Sequence, residues 1–136
     1  MSAKVFRAKI EGWKNATKAQ IEGIARQTCM EMAERVVRAT PVDTGFLRGS
    51  WQPAINAPEL KDGSPDPSGG QSIAEVMAVG NAVKPGDHFY MLNNASYAKF
   101  VEYGTSKMAG RFYVQGTVKQ WQAVVSQVAA ELGVKK

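Results

Sequence analysis

Cysteine is almost absent. Cys29 is the only one in 136 residues, so no internal disulfide can form and the chain suits a reducing compartment. Long apolar runs are missing too. The longest are a few residues, far short of the ~20 needed to span a bilayer, and no basic-then-apolar leader opens the chain. A membrane is therefore not expected as a partner. Histidine is represented by His88 alone, with no second His, Cys or paired acid beside it, so it reads as a surface or capping residue and not as a metal ligand. There is no Ser/His/Asp arrangement and no close pair of acids with a plausible cleft. Gly69-Gly70 is not followed by Gly-Lys-Ser/Thr, which rules out a phosphate loop. The strands lack the aromatics alternating with Lys and Arg of an RNA-binding sheet. No catalytic set and no cofactor is implied, and the composition points to a structural or binding module.

What is present is an ordinary globular composition, 44% apolar and 21% charged, in a length that makes one domain over residues 1–136. Such a chain can bury around two-thirds of its unfolded surface, enough for one core. Seventeen Lys and Arg against twelve Asp and Glu give a net charge of +5, which permits contact with nucleic acid or an acidic protein face. Lys4, Arg7, Lys9, Lys14 and Lys18 make the start basic. Residues 1–16 read as an arm, either solvated or lying on a neighbouring subunit, with Val5–Ile10 a short strand or irregular.

A helix is expected from about Thr17 to Ala39. Ile21, Ile24, Ala25, Thr28, Met32 and Val36 keep helical spacing, and Glu22/Arg26, Glu31/Arg35 and Glu34/Arg38 are i, i+4 pairs in the favourable order. Thr40-Pro41 stops it, because the residue before proline is pushed out of the helical region. Cys29 reads as buried filler. Pro41–Gly45 is a turn in which Asp43 can accept a backbone N–H and Gly45 tolerates a positive φ. Phe46–Ile55 reads as a strand, at an edge because of Pro53. Residues 56–72, rich in Pro, Gly and Ser, read as a flexible loop. Ser72–Gly80 reads as a second strand covered on both faces, Lys84–Asp87 as a turn and Phe89–Leu92 as a third strand. A final helix starts near Val114, with Val114, Val118, Trp121, Val125, Val128 and Leu132 spaced as an a/d seam. The fold class is α+β: a small antiparallel sheet packed against a long N-terminal helix and a C-terminal helix, with a long mobile loop.

The chain is organised around Tyr97–Phe112. Tyr97, Phe100 and Val101 share one helical face, Asn94 or Ser96 can cap the start, and Gly104 suits a left-handed stop. Thr105-Ser106-Lys107 is a polar turn, after which Arg111 stands before Phe112 and Tyr113. A buried or half-buried arginine needs a carboxylate, and Glu102 and Asp43 are the candidates to hold Arg111 and fix this stretch against the Asp43 turn.

Two blocks of this sequence resemble a known family. Tyr97-Ala-Lys-Phe-Val-Glu-Tyr-Gly-Thr-Ser-Lys-Met-Ala-Gly-Arg111 is similar to the signature of the HK97 gp10-like proteins of tailed-phage necks and tails. Thr40-Pro-Val-Asp-Thr-Gly-Phe-Leu-Arg-Gly-Ser50 is similar to their Pro-Val-Asp-Thr-Gly-x-Leu-Arg-x-Ser element. The blocks stand in the family's order, with a helix before the first and after the second, over roughly Ile21 to Leu132. The family's Arg-Pro-Phe is here Arg111-Phe112, without the proline. The resemblance implies a non-enzymatic virion structural protein of the neck, assembled in the host bacterial cytoplasm, that joins or completes the tail at the head–tail interface. It implies a ring, of six copies to match the tail or twelve to match the portal, with two different faces of each chain meeting. Its neighbours would be connector or head-closure proteins and tail-tube or terminator proteins, with genome DNA passing through the lumen unread. The structural and interface candidates are Asp43, Gly45, Arg48, Tyr97, Glu102, Tyr103, Gly104, Lys107, Arg111 and Phe112. The alternatives are a nucleic-acid-binding protein using the basic surface, which a steep salt dependence would reveal, and a hydrolase built on Asp43, Glu102 and His88.

Overall fold

Helix α1, Lys18–Ala39, is the spine of the molecule, and its limits follow from local chemistry. Thr17 Oγ1 accepts the Gln20 N–H at 3.1 Å while Gln20 Oε1 accepts the Thr17 N–H at 2.9 Å, a reciprocal capping box. Glu31–Arg35 and Glu34–Arg38 form ion pairs at 2.8 and 3.0 Å; a Glu22–Arg26 pair is not formed. Thr40, at ψ 124°, ends the helix ahead of Pro41. The computed structural model describes residues 17–42, 45–58 and 62–133; the basic arm and Asp43 lie outside them.

α1 buries more than one stripe, because it serves two apolar clusters. Near its start, Ile24 packs with Val124, Val125, Val128 and Ala129. Near its end, Val36 and Val37 pack with Leu47, Trp51, Ala95 and Tyr113. A Val- or Leu-sized side chain taken fully out of water contributes about 1.5–3 kcal/mol, so these clusters dominate the fold's stability.

After α1 the chain makes a one-turn helix, α2 (Phe46–Gly49), and then β1 (Trp51–Ile55). The strand expected over Phe46–Ile55 is therefore only half strand. Gly45, at φ +87°, supplies the left-handed turn that starts α2, and the Ser50 hydroxyl donates back to the Phe46 carbonyl at 2.6 Å. β1 pairs antiparallel with β2 (Phe89–Asn93), from Trp51 opposite Asn93 to Ile55 opposite Phe89. Pro53 is tolerated because both strands of this two-stranded sheet are edges.

Ser72–Gly80, expected as a strand, is instead part of helix α3, Gly70–Gly80. Ser72, Val76 and Gly80, every fourth residue, are its buried positions, and Gly80 sits against Met30 of α1, where a Cβ would not fit. The segment is apolar at so many positions that its period is hidden, and its Ala, Gln, Glu and Met residues favour helix. The loop thus ends at Gly69. Its described residues, 56–58 and 62–69, have no helix or strand, but the second part is tied down. The Asp66 N–H donates to the Gly45 carbonyl at 2.9 Å, and the Asp66 carboxylate accepts the Ser72 N–H at 2.9 Å in the first turn of α3.

The turn Lys84–Asp87 is closed by an Asp87 N–H to Lys84 carbonyl bond of 3.0 Å. The signature stretch gives α4 (Ala98–Tyr103) and a hairpin of β3 (Gly104–Thr105) and β4 (Met108–Ala109). The expected final helix is two helices, α5 (Tyr113–Val118) and α6 (Trp121–Glu131), with a break at Lys119–Gln120. Gly116, Thr117 and two valines make α5 a weak helix former. Arg35 of α1 donates to Gln120 Oε1 at 2.6 Å and to Gln127 Oε1 at 3.4 Å, fixing the junction. The continuous seam is broken accordingly: Val125 and Val128 are buried, whereas Val118 is exposed. Among the described residues no helix is long and apolar enough to cross a membrane.

Candidate functional site

Arg48 organises the first block. Its guanidinium donates to the carbonyls of Arg38 (3.0 Å), Thr40 (2.9 Å) and Pro67 (2.8 Å). A cation is thereby placed on the last carbonyls of α1, where the helix dipole favours it, and the Asp62–Gly69 segment is pinned to the same point. Gly45 completes the knot, since its carbonyl receives both Gly49 and Asp66 N–H groups at 2.9 Å.

The second block is built on Glu102, which is buried. Its two carboxylate oxygens accept the N–H groups of Val114 (2.9 Å) and Gln115 (3.0 Å), so it caps the N-terminus of α5. Arg111 is exposed, so the expected Arg111–Glu102 pair gives way to this cap. The arginine's backbone N–H donates to the Val101 carbonyl at 2.9 Å, and that of Phe112 donates to the Glu102 backbone carbonyl at 3.0 Å. These bonds lay Arg111 and Phe112 alongside the end of α4. Gly104, at φ +85°, turns the chain into the hairpin as expected, and Lys107 is exposed at its tip. α4 begins at Tyr97 with no side-chain cap, so neither Asn94 nor Ser96 plays that part.

The two blocks are joined by aromatic residues. Tyr113 is buried, donates its hydroxyl to the Ala98 carbonyl at 3.0 Å and meets Trp51 edge to face. Trp51 in turn donates its indole N–H to Thr40 Oγ1 at 2.7 Å. Phe46 and Tyr97 make a second ring contact, with centroids 6.4 Å apart. Burial and the nearby Glu102 carboxylate push the Tyr113 phenol up to about 12. A sequence signal for this joint existed: a buried Trp needs a partner for its N–H, and Trp51 directly follows the first block.

The anchored stretch shows solvent four large apolar side chains. Phe100 is 53% exposed, Tyr103 58%, Met108 46% and Phe112 46%. The shared apolar face expected for Tyr97, Phe100 and Val101 is thus split, with Val101 packed inward and Phe100 outward. Phe112 has left-handed backbone, φ 48° and ψ 40°, which costs a non-glycine residue about 1 kcal/mol or more. Both Glu102 oxygens are committed to amides, and the backbone N–H of His88 donates to Asn56 Oδ1 at 2.7 Å. Among the described residues no group of three or more His, Cys, Asp or Glu could hold a metal.

A family model matches residues 4–104, a span that holds the whole first block and the start of the second; its description reads "Bacteriophage HK97-gp10, putative tail-component". The chain belongs to the HK97-gp10-like family. This makes it a phage protein with a structural role in the virion and other phage structural proteins as its partners. No curated protein and no solved structure matches the chain. The match stops at Gly104, so the exposed Met108, Arg111 and Phe112 of this HK97-gp10-like chain lie beyond it.

Proposed function

We propose that this HK97-gp10-like chain is a single-domain, non-catalytic subunit of the phage neck. It forms a ring that joins or completes the tail at the head–tail interface, with six copies to match the tail. The observation that carries the reading is the outward face of Phe100, Tyr103, Met108 and Phe112, set on a stretch that Glu102 and Tyr113 fasten to the core. Ring subunits need two unlike faces that meet, and exposed apolar side chains of this kind are suited to one of them. It is small, so free subunits associate weakly and close into a ring on the head or tail end, where several sites presented together raise the effective concentration.

DNA passes through the ring unread. Among the described residues ten Lys and Arg face nine Asp and Glu, so most of the basic excess lies elsewhere and supports no strong field on the described surface. The test is a density map of the particle beside sedimentation of the purified chain at micromolar concentration. A ring of this chain between head and tail, with monomers or small oligomers in solution, is the expected result. A map with no such ring overturns the assignment. Sub-micromolar DNA binding with a steep salt slope would assign the chain to nucleic acid instead.

A further inference from the structure

Charge is segregated along the described chain. From Tyr97 to Lys119 the exposed charged side chains are Lys99, Lys107, Arg111 and Lys119, all cations, while the one acid, Glu102, is buried and committed to amides. From Asp62 to Val83 there is no Lys or Arg, and the charged residues are Asp62, Asp66 and Glu75. On α1 the signs mix, as in the Glu31–Arg35 and Glu34–Arg38 pairs. A described surface that is near neutral as a whole thus carries one positive and one negative stretch. The two sit on different elements: α3 packs on α1 and β1, whereas the β3–β4 hairpin is attached to α4.

Neither stretch is neutralised among the described residues. Both ion pairs there lie within α1. Asp66 is engaged, since its carboxylate accepts the Ser72 N–H. The side chains of Lys107, Arg111, Asp62 and Glu75 are exposed and make no hydrogen bond or ion pair with a described residue. Apolar surface follows the same division. The basic stretch carries Phe100, Tyr103, Met108 and Phe112, all large and exposed. On α3, Ala78 is exposed beside the exposed Ala74 and Glu75, at i, i+4 and i, i+3 spacing. Small side chains let large ones approach closely, so rings can lie on the two alanines while a cation reaches Glu75.

We propose that neighbouring copies of this chain meet head to tail, with the basic Tyr97–Lys119 stretch of one copy on the acidic Asp62–Val83 surface of the next. The inference rests on the ring reading above and names the second of its two faces. Basic stretch against basic stretch would set like charges together, which opposes that pairing. A head-to-tail contact leaves one free basic stretch and one free acidic surface at the ends of every open chain of copies, so association continues past the dimer until a ring closes. Exposed ion pairs each contribute little and are screened by salt, so the contact is weak in free subunits and weakens further as salt rises.

The experiment is a charge swap read by sedimentation of the full chain at low salt, at concentrations up to about 1 mM. One variant carries Lys107→Glu and Arg111→Glu, a second Asp62→Lys and Glu75→Lys, and a third all four changes; circular dichroism checks that each is folded. Wild type is expected to associate past the dimer. The first two variants should each associate about tenfold or more weakly than wild type. Association should return when those two are mixed, because each then presents the charge the other lacks, and it should return in the third variant, whose two surfaces have exchanged sign. No wild-type association up to that concentration overturns the proposal. So does association that stops at a closed dimer, or that the reversals leave unchanged. Failure of both the mixture and the third variant to recover overturns it as well. Duplex DNA binding that the first variant loses, with self-association unchanged, would give the basic stretch to nucleic acid instead. None of these measurements uses the particle, so a failed swap leaves the neck assignment to the density map, and a map without a ring leaves a successful swap standing as a property of the chain.

Discussion

Trp51 meets Tyr113 edge to face, with ring centroids 6.3 Å apart and planes at 78°. This contact, and not an Arg111–Glu102 pair, joins the two signature blocks of the HK97-gp10-like chain among the described residues. Each ring is also tethered at its polar end, Trp51 to Thr40 and Tyr113 to Ala98. Trp51→Phe keeps an aromatic in the cluster but removes the N–H donor, leaving the buried Thr40 oxygen without that bond. The expected cost is about 1–3 kcal/mol in urea denaturation. Trp51→Ala should cost more, about 3–5 kcal/mol. A Trp51→Phe variant as stable as wild type would show that the joint is packing alone.

Glu102→Ala leaves the Val114 and Gln115 amides at the start of α5 without their acceptor. A loss of about 1–3 kcal/mol is expected. Glu102→Gln keeps one carbonyl acceptor and should lose less. Equal losses for the two variants would argue against a role as helix cap. Hydrogen exchange at Val114 and Gln115 should rise in both.

Phe112→Asn separates stability from assembly. Asparagine tolerates the left-handed backbone better than phenylalanine, so relief of strain offsets part of the lost contact, and stability should stay within about 1 kcal/mol of wild type. Incorporation into particles should fall sharply if the outward face is an interface. Normal incorporation would remove Phe112 from that face.

Gly49→Ala tests whether the loop is docked. A Cβ at this position would overlap the Ser64 carbonyl, so the Asp62–Gly69 segment must move. A loss of about 1–3 kcal/mol is expected, with faster limited proteolysis between Asp62 and Gly69. Unchanged proteolysis would mean that the segment accommodates the methyl group without leaving its place.

Tyr113 sets an alkaline limit. Its phenol titrates near 12 in the folded chain against an ordinary 10. Above about pH 10 the unfolded chain releases this proton while the folded chain keeps it, so stability falls as pH rises from about 10 to about 12. Below 10 both states hold the proton and the slope from this group vanishes. Tyr113→Phe should flatten the alkaline slope, measured as thermal midpoint against pH. An unchanged slope would assign it to other groups.

The sequence by itself determined α1. Its capping box, two of its ion pairs and its Thr40-Pro41 stop are all interactions between residues within four positions of each other, so they can be read without a fold. The Lys84–Asp87 turn and the Gly104 stop were legible for the same reason, and the two blocks carried the family. Tertiary structure decided the rest. The α3 segment is apolar at so many positions that its period does not separate strand from helix, and its packing of Val76 and Gly80 against the rest of the chain adds to the helix preference of its Ala, Gln, Glu and Met residues. The α5–α6 break depends on Arg35, 85 residues from Gln120. Glu102 could have served Arg111 or a helix end. The fold places two backbone amides within 3.0 Å of its oxygens, and a buried carboxylate is stabilised most by donors already fixed in place. The Trp51–Tyr113 joint spans the two blocks, and no local spacing encodes a contact between residues 62 positions apart.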